Sequence, residues 1–114
     1  MGGSFETSEA HANFHLKPLR VAVRAEDVYA EARDMVGDLS GWKVVATDDA
    51  RFVLACARKG GLLSGEAEVT ITCEGPAGIP STTVHVRSVT KGGILSRDRA
   101  NVLEFMVPFH RRVC

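Results

Sequence analysis

The sequence predicts an α+β domain: a two-layer sandwich in which an antiparallel sheet is covered on one face by two helices. Three observations carry that expectation. Four consecutive segments between residues 42 and 90 alternate or run apolar as strands do. A segment on either side of them repeats its apolar residues at helical spacing. Strands with one polar face need cover on the other face alone.

Residues 1–17 show no sustained periodicity and are expected to form a flexible tail, leaving 18–114 as a single domain. In LRVAVRA, Leu19, Val21 and Val23 alternate with Arg20, Ala22 and Arg24, as in a half-buried strand. EDVYAEARDMVGDL then lines up Val28, Ala32, Met35, Val36 and Leu39 along one side of a helix, with Glu26 and Asp27 near its positive end. Gly37 and the pair Ser40–Gly41 end it.

The strand WKVVAT follows, and the turn DDA leads into RFVLACAR. In the latter, Phe52, Leu54 and Cys56 are backed by Val53, Ala55 and Ala57, the pattern of a central strand. EAEVTITCE places Ala67, Val69, Ile71 and Cys73 inward and Glu66, Glu68, Thr70, Thr72 and Glu74 outward. After the turn-rich GPAGIPS, TTVHVRSVT sets Val84, Val86 and Ser88 on one face and Thr83, His85, Arg87 and Val89 on the other. DRANVLEFMVPFHRRV closes the chain as a helix with Val102, Phe105, Met106, Phe109 and Val113 on its apolar side. Pro108 cannot donate to the carbonyl of Glu104, so a kink or an early end is expected there. The order is strand, helix, four-strand meander, helix.

A chain of 114 residues can build one core without metal or disulfide staples. Lys+Arg and Asp+Glu balance at 14 each, so the charge gives no footprint of a nucleic-acid binder. The three cysteines lack metal-ligand spacing, and Cys56 and Cys73 fall within apolar strand patterns. Buried reduced thiols in a reducing compartment, cytoplasmic or organellar, are expected. The N-terminus lacks the pattern of a secretory signal, and no apolar run approaches the ~20 residues that span a bilayer. A soluble protein is expected, peripheral to a membrane at most. His11 and His15 stand four apart, but no further ligand completes a metal site, and no metal or other cofactor is expected.

The most distinctive feature is a short repeat: KGGLLS from Lys59 recurs as KGGILS from Lys91. The flanks differ, since the first copy runs into a strand and the second into a helix, so the repeat is not a duplicated unit. In a meander both copies emerge at the same edge of the sheet. Leu62, Leu63, Ile94 and Leu95 would gather there beside Lys59, Lys91, Arg97, Arg58 and Arg99, and apolar tips ringed by cations suit a protein partner, a larger complex or a peripheral membrane surface. The other reading has the glycines supplying positive-φ turns while the aliphatic residues fold back over the core. Neither copy fits the GxxxxGK[ST] phosphate loop, and Asp98 at the start of the last helix opposes an anion. A small enzyme would instead use the open sheet face, where His85 lies with Arg87, Thr83, Thr70 and Thr72, and would need a concave pocket there.

The spans GWKVVATDDARFVLACA and VHVRSVTKGGILSRDRAN resemble an uncharacterised domain family of bacteria and algae, through Gly41, Trp42, Arg87, Ser88, Gly93 and Asn101. Two departures are that family's acidic pair, here the spaced Glu66 and Glu68, and its Ser-Asp pair, here Ser96-Arg97-Asp98. The strand order, with CEGP at Cys73–Pro76 and VHVRSVTKG at Val84–Gly92, is also similar to the kinase-associated C-terminal domain. The first resemblance implies a fold; the second implies docking on anionic phospholipids or on a kinase domain. The expectation is a non-enzymatic binding or accessory module working through the KGG edge.

Overall fold

Strand alternation fixes the sheet side of the core: Leu54, Cys56, Val69, Ile71, Val84 and Val86 all point inward and are buried. The computed structural model describes residues 3–61, 63–93 and 96–114. Its elements are β1 (Gly3–Glu6), a 3-10 turn at Phe14–Leu16, β2 (Leu19–Val21), α1 (Ala25–Asp38), β3 (Trp42–Asp48), β4 (Val53–Arg58), β5 (Ser64–Glu74), β6 (Thr82–Gly93) and α2 (Asp98–Val113). The strands make one sheet in the order β1-β6-β5-β4-β3, with β2 also on β6 and every pairing antiparallel. This is the α+β two-layer arrangement expected, with the meander β3 to β6 in place.

The helices cover the inward face. From α1 come Val28, Tyr29, Ala32, Met35 and Val36, and from α2 come Val102, Phe105, Met106 and Phe109, all buried. Phe105 and Phe109 pack with their rings tilted, centroids 4.8 Å apart, and both are fully buried, so truncating either to alanine would cost about 3–5 kcal/mol.

Two expectations need correction. Residues 3–6 are not a free tail: they pair with Thr90 to Arg87 of β6, Thr7 N donates to the Val86 carbonyl at 2.9 Å, and Leu16 joins the core. A four-residue strand and a single 3-10 turn are too short to leave a periodicity. Nor does α2 end early, since it runs through Pro108 to Val113. Pro108 removes one backbone donor, yet Phe109 beyond it is buried, and Arg112 contacts Glu31, Asp34 and Asp38 of α1 at 3.6, 2.9 and 3.2 Å.

Candidate functional site

The first KGG segment leaves β4 at Arg58, whose side chain is held by three hydrogen bonds to two partners. Nε and Nη2 donate to the Glu104 carboxylate of α2 at 2.6 and 3.3 Å, and Nη1 donates to the Lys59 carbonyl at 2.9 Å. Trp42 Nε1 donates to the same carboxylate at 2.5 Å. Gly41, at φ +82°, passes so close that an added Cβ would sit 2.6 Å from Arg58 Nη1. Its carbonyl accepts from Lys59 N at 2.8 Å, anchoring the base of the loop.

The second KGG is not a loop: Lys91, Gly92 and Gly93 continue β6 and pair with the start of β5. Gly92 and Gly93 hold φ of 75° and 78°, so the glycines do supply left-handed backbone, but inside a strand end. Opposite them Gly65 admits no side chain, because a Cβ would lie 2.1 Å from the Lys91 carbonyl.

Both segments emerge at the same end of the sheet, since β4 and β6 run in one direction on either side of β5. Of the residues expected to gather there, Lys59 and Arg97 do. They line a cleft of about 90 Å³ together with Arg58, Gly60, Gly61, Gly65 and Asn101. Leu63 is half-exposed at 50%. Lys91 stands apart on the outer face, where Nζ donates to Glu68 at 3.1 Å beside a depression of about 220 Å³ formed with Val45, Ala55, Ala57 and Glu66. Leu62, Ile94 and Leu95 lie outside the described residues.

Behind the cleft is a polar network that sequence reasoning missed. Asp98, the first residue of α2, is only 2% exposed. Its Oδ1 accepts from Ser88 Oγ and Thr90 Oγ1, both at 2.6 Å, and its Oδ2 accepts from Ser96 Oγ at 2.6 Å. Asn101 Nδ2 donates to Ser88 Oγ at 3.1 Å. A signal existed, because alternation puts the hydroxyls of Ser88 and Thr90 on the inward face of β6, where each needs a partner. The oxygens of Asp98 are therefore occupied by the hydroxyls of Ser88, Thr90 and Ser96.

The histidines are dispersed among aromatic contacts. His11 stacks on Phe5 at 4.7 Å, and His15 meets His110 of α2 at 4.7 Å with Phe14 against both. Burial, then the neighbouring His15, holds the His110 pKa below its ordinary value. Among the described residues no group of three metal-ligating side chains occurs. His85 sits on the outer face, 3.9 Å from Glu74, in a depression of about 230 Å³ with Thr70, Thr72, Arg87, Glu6 and Thr7. The outer face is therefore not flat at His85, but that separation exceeds hydrogen-bond reach.

No family model matches the sequence, and no curated protein matches it. Solved structures do share the fold. A norcoclaurine synthase point mutant from Thalictrum, in complex with a transition-state analogue, aligns with a TM-score of 0.57 and 11% identity over 98% of this chain and 96% of its own. The ZhuI aromatase/cyclase from a Streptomyces species gives 0.55 and 16% over 98% and 88%. Ara h 8.0201 gives 0.56 and 11% over 97% and 99%. At such identities the likeness is one of architecture.

Proposed function

We propose that the chain is a non-enzymatic binding module that docks through the KGG end of the sheet on an anionic surface. One observation supports this most: Lys59 and Arg97 meet at that end with no ion-pair partner among the described residues, beside the half-exposed Leu63. A membrane leaflet fits this chemistry best, since each cation near an anionic surface contributes about 1 kcal/mol and an apolar tip can enter the interface. That is the role a kinase-associated-type regulatory domain would have; an acidic protein partner is the alternative target. The fold alone does not choose, because its neighbours include a synthase and an aromatase/cyclase as well as Ara h 8.0201.

Sedimentation with phosphatidylserine vesicles tests the reading. Lys59→Glu and Leu63→Ser should each reduce vesicle binding while leaving the melting temperature unchanged, and added salt should mimic the charge reversal. Variants that lose stability without a specific binding defect would make this end a cover for the core. Absent vesicle binding combined with retention of a specific protein through purification would move the target to that protein.

A second reading, a small enzyme on the outer face, is favoured by the depression at His85. It has threonines and Arg87 at hand, but the only carboxylate that pairs with His85 among the described residues is Glu74, at 3.9 Å. Turnover of any substrate that His85→Asn abolished and Lys59→Glu spared would favour it over docking.

A further inference from the structure

We propose that the cleft between the first KGG segment and the start of α2 binds one small oxyanion, a phosphate or a phosphomonoester carried by a larger molecule. The proposal deepens the docking reading above and rests on the same end of the sheet being the working surface. Its walls carry it. Arg58, Lys59 and Arg97 supply three cationic side chains, Gly60, Gly61 and Gly65 supply backbone with no side chain to fill the space, and no acidic residue lines the cleft.

The carboxylates of α2 beside the lining residues are already engaged. Glu104 accepts from Arg58 and Trp42, and Asp98 accepts from three hydroxyls while buried. Neither is left to neutralise Lys59 or Arg97, and no other described acid pairs with them. Cations left uncompensated in a concave site attract an anion more strongly than the same charges on an open surface.

Arg58 adds preorganisation. A guanidinium carries five N–H donors; Nε, one on Nη2 and one on Nη1 are used by Glu104 and the Lys59 carbonyl. The ion pair and the loop carbonyl thus fix the plane of the group while one donor on each Nη stays available. Arg97 and Lys59 supply charge from two other directions. The cleft volume of about 90 Å³ admits a tetrahedral oxyanion but not a nucleotide, so a larger ligand would have to present its phosphate from outside.

The sequence argued against an anion here on account of Asp98. The structure weakens that objection, because the carboxylate is buried and its oxygens are taken up by the Ser88, Thr90 and Ser96 hydroxyls.

Titration of the intact chain with inorganic phosphate, followed by amide NMR at constant ionic strength, tests the proposal. Saturable shifts are expected at residues 58–61, 65 and 97–101. Lys59→Gln with Arg97→Gln should weaken the affinity about tenfold or more, as loss of charge-assisted bonds does, whereas Lys43→Gln with Arg111→Gln should leave it unchanged. A second arm uses vesicles: preference for phosphatidic acid over phosphatidylserine at equal charge assigns the anion to a lipid headgroup, and phosphate binding without that preference assigns it to a soluble phosphate. Shifts that do not saturate, or that respond equally to both variant pairs, overturn the site. Failure of the cleft is distinguishable from failure of docking. If phosphate does not bind but Leu63→Ser still abolishes vesicle sedimentation, the cleft falls and the docking edge stands; if phosphate binds and no vesicle or partner does, the reverse holds.

Discussion

Asp98→Ala tests whether the start of α2 is pinned to the sheet by its buried carboxylate. Three hydroxyls donate to Asp98, each at 2.6 Å. A hydrogen bond to a charged group contributes about 1.5–3 kcal/mol net, so even the lower figure gives roughly 4–5 kcal/mol for the set. Loss of a negative charge from the first helical turn adds about 0.5 kcal/mol. Burying the carboxylate has its own cost, which the alanine variant escapes, and that offsets about 2 kcal/mol. The expected net loss is about 3 kcal/mol. Ser88 keeps Asn101 as a partner; Thr90 is left without one and should account for much of the loss. Asp98→Asn retains one acceptor oxygen and should lose about 1–2 kcal/mol. Urea unfolding read from the single tryptophan, Trp42, suits the measurement, because that side chain is buried against Phe105. With an m-value of roughly 1.5 kcal/mol/M, the alanine variant should unfold about 2 M earlier. A loss under about 1 kcal/mol in both variants would refute the reasoning and make the network a by-product of packing.

The thiols and the histidines give two further expectations. Burial pushes Cys56 up to about 11 and Cys73 up to about 12, while Cys114 is exposed, so a thiol reagent at neutral pH should label Cys114 at once and the other two only on unfolding; equal labelling in the native state would contradict the packing. His110 is held below its ordinary pKa by burial and by His15, so the unfolded chain binds the proton more readily, and the contribution is present above the unfolded pKa and lost as pH falls through the folded one. Melting temperature should therefore drop on acidification from pH 7 more steeply for the native chain than for His110→Leu; equal slopes would show that the junction with Phe14 and His15 does not sense pH.

Most of the layer structure was legible because strand alternation and helix spacing report burial directly. Cys73 and Glu74, or Val86 and Arg87, differ in exposure as their positions dictate. What escaped depended on contacts between distant segments. Gly3–Glu6 becomes a strand only because β6 offers Arg87 to Thr90 as an edge, and Tyr29 is held by Asp49 at 2.5 Å, twenty positions away. The site was half legible. Lys59 and Arg97 were placed together by topology alone, but alternation along β6 turns Lys91 to the outer face, where it meets Glu68 diagonally across the strand pair. Of the six residues that carried the resemblance to an uncharacterised domain family, Trp42, Ser88 and Asn101 lie at the joints between α2 and the sheet, and Gly41 packs on the Arg58 that pairs with α2. Their chemistry here is that of holding a helix in place.

The strand β6 carries two separate pieces of the N-terminal chain end to end along one side, β2 against Thr82–Val84 and β1 against Arg87–Thr90. An uncovered strand is a template that recruits another chain. At the opposite margin β3 blunts its own edge with a register shift between Val44 and Ala46 and an exposed Lys43, whereas β6 has no such device over Arg87–Thr90 and relies on four residues laid across it. A shorter chain starting at residue 18 would give up Leu16 but keep the rest of its core and its candidate cleft, yet it would present an open strand. Self-association through that edge, rather than unfolding, is how the missing segment would make itself felt.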